Sequence, residues 1–453
     1  MIAITYAEVA RYTGGVLYDC EGTRPVAGVT IDSRAVGPGM LFVALPGRHT
    51  DGHRFLPEVF AQGGVALIRR GAAGTGPRIE VEDPLTAMGE LVRRWIETHA
   101  IRVVGVTGSV GKTSLKELIA QALSARYVTG QTLSNYNTAI GLPLSFFAAP
   151  PAMTHFVAEM AMRARGEIRH LTEIAPPDVA VIGNIGPSHL ETLGSMEAIQ
   201  AAKGEILEGM REGGTAVLNY DDVRVRELGL RLKKGEVAWY GRSPEVQSRL
   251  LEAAVEGTGV RCRIAVEGQE VAFWLPWPGV HQALNAAGAL LVAQRLGVEV
   301  VAAAERLSQI EPSRSRIQVR EIGEVRVVED VYNANPDSMA AALEYLASLP
   351  GRKVAVLGDM LELGAAEEES HRRVGEAAAR HADLLVTVGE RARAIAAQAR
   401  ALGISVVETG SVDEAALMLP QLLRPGDVVL FKASRGMALE RLIARLEAAG
   451  GAS

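Results

Sequence analysis

An apolar run from Ile101 to Val104 leads into Gly105-Val-Thr-Gly-Ser-Val-Gly-Lys-Thr113, and a helical run from Ser114 to Tyr127 follows. That order of strand, glycine-rich turn and helix constrains the chain more than any other feature, because it is the layout of a phosphate-binding loop. Glycines let successive backbone N–H groups turn inward on an anion, and the helix N-terminus adds partial positive charge. Thr107, Gly108, Ser109, Val110 and Gly111 would form the cradle, Lys112 would reach the β- and γ-phosphates, and the Thr113 hydroxyl suits Mg²⁺. A nucleoside triphosphate is the expected ligand. The spacing departs from the common GxxxxGK[ST] form, since Val106 stands where that form has its first glycine, and TGSxGKT is the narrower variant.

A parallel α/β sheet must surround such a loop, and 453 residues exceed what one core holds. At about 150 residues per domain the length predicts three. The boundaries are expected near 100 and 312, giving blocks 1–99, 100–312 and 313–453. The first ends in a helical run from Leu85 to His99, and in the second, strands such as Val179–Ile182 alternate with helices. Alternating patterns between Glu236 and Gly279 predict a small antiparallel insertion in that second block. In the third, apolar runs at Val354–Leu357, Leu384–Val388, Ile404–Val407 and Val428–Phe431 predict a Rossmann-like domain. It has no GxGxxG, so a dinucleotide is not implied.

A net charge of −6 argues against a nucleic-acid partner. No apolar run approaches the roughly 18 residues of a membrane span. Met1 to Glu8 lacks a basic segment followed by an apolar core, and Cys20 and Cys262 lack metal-ligand spacing, so a cytoplasmic location is expected.

Several residues beyond the loop invite chemistry. Glu159, after the run His155-Phe-Val-Ala, would emerge at a strand end, where a carboxylate can hold Mg²⁺ or simply cap. His189, in Gly183-Asn-Ile-Gly-Pro-Ser-His189, follows a strand and could ligate metal, touch phosphate or be structural. Lys203 sits in a helical pattern beginning near Met196, where a lysine is ordinarily a solvated charge. Asn285, on the helix opened by His281, could pair with an adenine edge. Arg316 offers a permanently charged fork for a transferring phosphoryl group. Asp330-Val-Tyr332-Asn333-Ala-Asn-Pro follows a strand and is rich in side-chain amides, and Gly358–Gly364 and Phe431–Gly436 also end strands of that domain. Loops at strand carboxyl ends line α/β sites.

Taken together these residues resemble the Mur ligases of peptidoglycan synthesis. The resemblance spans all three blocks: Asp32-Ser33-Arg34 and Asp51-Gly-His53, the TGSxGKT loop, Asn135-Tyr-Asn137 with Gly141-Leu-Pro143, Glu159, Asn184–His189, Lys203-Gly-Glu-Ile, His281 with Asn285, Arg316, and Asp330-Val-Tyr-Asn-Ala-Asn-Pro. Two places depart from the family pattern, Met160-Ala-Met162 after Glu159 and Tyr136 between the two asparagines.

The resemblance implies an N-terminal UDP-binding α/β domain, a central P-loop ATPase-type parallel sheet and a C-terminal Rossmann-like domain. It implies ATP and Mg²⁺ as cofactors, and substrate contacts at Ser33, Arg34, Asn135, Asn137, Tyr332 and Asn333. Lys112, Lys203, His189 and Arg316 would be catalytic, with Thr113, Glu159, His189 and a carbamylated Lys203 around the metal and Asn285, Arg316 and Asp330 around the nucleotide. Tyr332-Asn-Ala-Asn-Pro matches the family member that adds D-alanyl-D-alanine to UDP-N-acetylmuramoyl-tripeptide, and the Asp-Asn-Pro-Arg signature of the diaminopimelate or lysine ligase is absent. The small-molecule substrates, a monomer and no membrane insertion complete what the resemblance implies.

Overall fold

A computed structural model describes residues 4–47, 50–72, 74–311 and 317–450, and the counts below are of those residues. They form three α/β domains, each built on one sheet. In the first, five strands run in the order Val16–Tyr18, Arg78–Val81, Val65–Arg69, Met40–Val43, Gly28–Thr30, parallel except at the Val16–Tyr18 edge. Helix Pro84–Thr98 closes this domain. The Asp83 side chain caps it by accepting from the Thr86 N–H, Pro84 presets its first turn, and Leu91, Val92, Trp95 and Ile96 face the core.

The central sheet has nine strands. Thr129–Gln131, His155–Glu159, Arg102–Thr107, Val179–Ile182, Thr215–Asn219 and Glu236–Gly241 are adjacent as named, with parallel pairing from one to the next. Successive residues of these strands enter different cores. Val103, Ala158 and Ile182 pack on one face, and Val104, Val157 and Val181 on the other. A sheet covered on both faces explains why the strands read as unbroken apolar runs rather than as alternation.

The segment expected to be an antiparallel insertion differs in part. Glu236–Gly241 pairs parallel with Thr215–Asn219, and only Ser248–Glu256, Gly259–Val266 and Gln269–Leu275 form an antiparallel meander, which extends the same sheet. The alternation along Val260–Val266 is real, because that edge has one covered face and one wet face.

The third sheet runs Gln318–Ile322, Val325–Asp330, Val428–Lys432, Lys353–Gly358, Leu384–Val388, Ser405–Thr409, parallel after the first hairpin. Thr107, Glu159 and Ile182 in the central sheet, and Asp330 and Lys432 in the third, are each the last residue of a parallel strand. The two sheets therefore present their carboxyl edges to one region. No helix among the described residues is long and apolar enough to cross a membrane.

His155 opens the strand that delivers Glu159. It is buried, stacks on Tyr127 with ring centroids 3.9 Å apart, and has Nδ1 2.9 Å from the Thr154 hydroxyl. Burial first, and then the Arg102 charge, push its imidazole down to about 4 from an ordinary 6.5. The unfolded chain takes up a proton near 6.5 that the fold refuses until about 4. Stability should accordingly hold level above that window and decline as pH falls through it. His155→Phe, which keeps the stack, should flatten this part of a stability profile measured by urea unfolding from pH 4 to 7.

Candidate active site

A cleft of about 1160 Å³ lies where the domains meet. Leu85 contributes from the first domain, the phosphate loop, Glu159 and Asn285 from the second, and Asp330, Asn333 and Lys432 from the third. The loop itself fits the expected geometry. Gly111 takes a left-handed conformation, φ 72°, just before helix Lys112–Leu123, so the N–H groups of the first helical turn open toward the cleft. Lys112 folds over the loop, its Nζ donating to the Gly108 carbonyl at 2.9 Å and to that of Ser109 at 3.3 Å.

Lys203 is not a surface lysine. Helix Met196–Glu208 turns it inward, where it is 2% exposed and donates to the same Gly108 oxygen at 2.8 Å. Burial, reinforced by the Lys112 charge, holds its amine well below the ordinary lysine range. Glu159 is equally buried. One carboxylate oxygen accepts from the Asn137 amide at 2.8 Å and its own N–H donates to the Thr132 hydroxyl, but Oε2 has no partner among the described residues. A buried carboxylate oxygen without a donor is the arrangement a cation would complete. Among the described residues no three carboxylate, imidazole or thiolate groups converge on one point.

His189 adopts φ 55°, ahead of the short helix Leu190–Leu193, and its Nδ1 lies 2.8 Å from Glu362 Oε2 of the C-terminal domain. Burial pulls its imidazole downward, Glu362 opposes this, and Lys112 and Lys203 add to the downward pull. Asn285 donates to Gln282 and stands beside Gly111, where a Cβ would come within 3.5 Å of its amide nitrogen. Asn135, Tyr332 and Asn333 line the cleft. Asp330 accepts from Lys432 at 2.6 Å, and Lys432, 1% exposed, also donates to the Asn333 carbonyl. Arg316 lies outside the described residues.

Ser33 and Arg34 stand apart from this lining. Ser33 is buried, while Arg34 is exposed and forks onto Asp32 at 2.9 and 2.7 Å, which holds the Asp32 carboxyl down at about 2. The first domain carries its own smaller cleft of about 520 Å³, lined by Asp51, His53, Arg54, Arg69 and Arg70.

Three participants were not singled out from sequence. Lys432 had a signal, a lone cation ending the apolar strand Val428–Lys432. Asn184, whose side chain bonds the phosphate loop, had one only as part of a longer motif. Glu362 had none beyond its place in a strand-end turn.

A nucleotide-type loop at the junction of three α/β domains, two of them presenting strand carboxyl edges, defines a multidomain nucleotide-dependent class of protein. Residues 25–95, 106–293 and 315–435 match, in turn, the Mur ligase family catalytic domain, the Mur ligase middle domain and the Mur ligase glutamate ligase domain. The UDP-N-acetylmuramoyl-tripeptide--D-alanyl-D-alanine ligase of Bacillus subtilis is 33% identical over 454 residues, covering 98% of this chain and 98% of that protein. A crystal structure of MurF from Acinetobacter baumannii superposes with a TM-score of 0.90 at 28% identity, covering 98% and 99% of the two chains. MurF ligase from Thermotoga maritima in complex with ADP gives 0.84 at 31% identity over 94% and 98%. The chain belongs to the Mur ligase family.

The Asp330–Lys432 pair can be tested by itself. Lys432→Met strands a largely buried carboxylate and should lower stability by about 3–5 kcal/mol, toward the smaller figure because Asp330 keeps some water contact. The double substitution Lys432→Met with Asp330→Asn should recover much of that loss in a calorimetric double-mutant cycle.

Proposed function

We propose that this chain joins D-alanyl-D-alanine to UDP-N-acetylmuramoyl-tripeptide, with ATP converted to ADP and phosphate. The observation that carries this reading is the near end-to-end match to a ligase of that name, 98% of both chains. The cleft supports it by placing the phosphate loop opposite the Tyr332-Asn-Ala-Asn-Pro turn.

The tripeptide's terminal carboxylate oxygen attacks the γ-phosphorus, giving an acyl phosphate and ADP. The free amine of the dipeptide then attacks the acyl carbon, and the carbon–oxygen bond to phosphate breaks. Lys112 and Arg316 neutralise the phosphoryl oxygens, Asn285 and Asp330 hold the nucleoside, and Asn135, Asn137, Tyr332 and Asn333 hold the peptide substrates. Ser33 and Arg34 bind the nucleotide sugar. Thr113, Glu159, His189 and a carbamylated Lys203 would hold magnesium, which when bound offsets phosphate charge. Holding three reactants in line can contribute about 7–11 kcal/mol. One cytoplasmic chain suffices, with its domain joints near residues 100 and 312.

Phosphate release should require the nucleotide-sugar tripeptide and the dipeptide together. Release with UDP-N-acetylmuramoyl-dipeptide plus lysine or diaminopimelate instead would favour a ligase adding a single amino acid.

Carbamylation of Lys203 is supported by its burial, since the neutral amine favoured there is the form that adds to CO₂, releasing one proton. Lys203→Ala should lose most activity, and acetate or formate in the buffer should restore part of it. Lys203→Arg should not respond, because a guanidinium keeps the positive charge and fills the space. Full activity in the unsupplemented alanine variant would end this assignment.

A further inference from the structure

Strand Lys353–Gly358 ends in a turn whose backbone is tied down residue by residue. The Asp359 carbonyl accepts from the Ser434 N–H at 3.0 Å, and the Leu361 N–H donates to the Ser434 hydroxyl at 2.9 Å. Between them, the Met360 N–H donates to Nε2 of His371 at 3.1 Å. His371 lies on helix Glu367–His381, is 0% exposed, and has Nδ1 2.7 Å from the Glu367 carbonyl one turn back. Two residues beyond Met360, Glu362 turns left-handed at φ 64° and its Oε2 meets Nδ1 of His189, in the central domain, at 2.8 Å.

These contacts fix which ring nitrogen of His371 carries the proton. An N–H cannot donate to another N–H, so the Nε2 that faces Met360 is bare. A carbonyl cannot donate, so the Nδ1 that faces Glu367 holds the hydrogen. Both nitrogens of a buried ring are thereby used. A carboxylate would accept from Met360 as well, but it would bring an unpaired charge into the core, and an apolar side chain would leave the buried N–H without an acceptor. Imidazole in this one tautomer meets both demands.

We propose that His371 is a positioning residue for the ligation, acting through the Met360 N–H to aim Glu362 across the domain boundary at His189. It does not itself line the cleft, whereas His189 does. The inference rests on the proposed function in one respect, that His189 stands at the reacting end of the nucleotide.

Substitution by the two amides separates this role from packing. Glutamine can set an oxygen where Nε2 stands and so keep the acceptor for Met360, while asparagine can set a donor only where Nδ1 stands. Each loses one buried hydrogen bond, so a histidine that merely fills the core would lose similar stability and similar activity in both. His371→Asn should lower kcat by about tenfold, with the KM for the nucleotide-sugar tripeptide changing by less than about twofold, because substrate is still bound but misaligned. His371→Gln should retain most of the wild-type kcat. Glu362→Ala should cost about as much as His371→Asn, and combining the two should cost no more than either alone.

Imidazole nitrogen shifts of the histidine-labelled full chain, free of ligand, give a readout independent of activity. The wild-type His371 ring should show the Nδ1–H tautomer, and the His189 ring signals should move in the asparagine variant and stay in the glutamine variant. An Nε2–H tautomer at His371 would overturn the proposal. So would equal kcat in the two amide variants, or His189 signals indifferent to both. Failure of the wild-type chain to ligate would count against the function reading separately, since the spectra judge His371 without substrate. Should His371→Asn not fold, the wild-type tautomer and His371→Gln still decide.

Discussion

Two amines, the half-buried Lys112 and the buried Lys203, share the carbonyl oxygen of Gly108 at 2.9 and 2.8 Å. Like charges that close destabilise one another, and at Lys203 burial already disfavours the charged form. With the Lys203 amine held toward its neutral form, Lys112, which lines the cleft, is the loop's cation for an arriving phosphate. Glu159 supplies part of the counter-charge, yet one of its oxygens is bound to Asn137 and the other is left open.

The third domain is balanced differently. Asp330 and Lys432 end adjacent strands that run in register, and they neutralise one another beneath the Asn333 turn. This half of the cleft presents amides, the Tyr332 phenol and one further carboxylate, Asp337, which lies 3.5 Å from Arg373. A phosphate loop on one side and a turn rich in amides on the other suit a reaction in which nucleotide and peptide must lie in line.

How much of this was legible depended on sequence distance. The phosphate loop and its strand and helix are local and were read directly. The parallel strands were visible because both faces are buried, whereas the Glu236–Gly241 strand was misassigned because its neighbours carry the alternation of an exposed edge. Lys203 illustrates a signal present but outweighed. It follows Ile199 by four residues and precedes Ile206 by three, so helical spacing puts it on the buried stripe, yet a lysine there is ordinarily solvated. Glu362 could not be found, because its partner His189 lies 173 residues away on another domain. The placement of Ser33 and Arg34 away from the main cleft was likewise a tertiary fact that no local pattern carries.

His189 and Glu362 share one further property, a left-handed backbone at a residue other than glycine, φ 55° and 64°. Such conformations cost about 1–3 kcal/mol each and persist where surrounding contacts enforce them. The enforcing contacts here cross the domain boundary. Gly364 packs so closely on Glu191 that a Cβ would come within 2.9 Å of its Cα, and one on Gly186 would come within 2.4 Å of Asp337 Oδ2. Residues 184–189 thus run from the amide that holds Ser109 to the imidazole that meets the third domain. A rotation of that domain would release His189 first, and through Ser188 and Gly186, both bonded to the Ser109 hydroxyl, it would bear on the phosphate loop next.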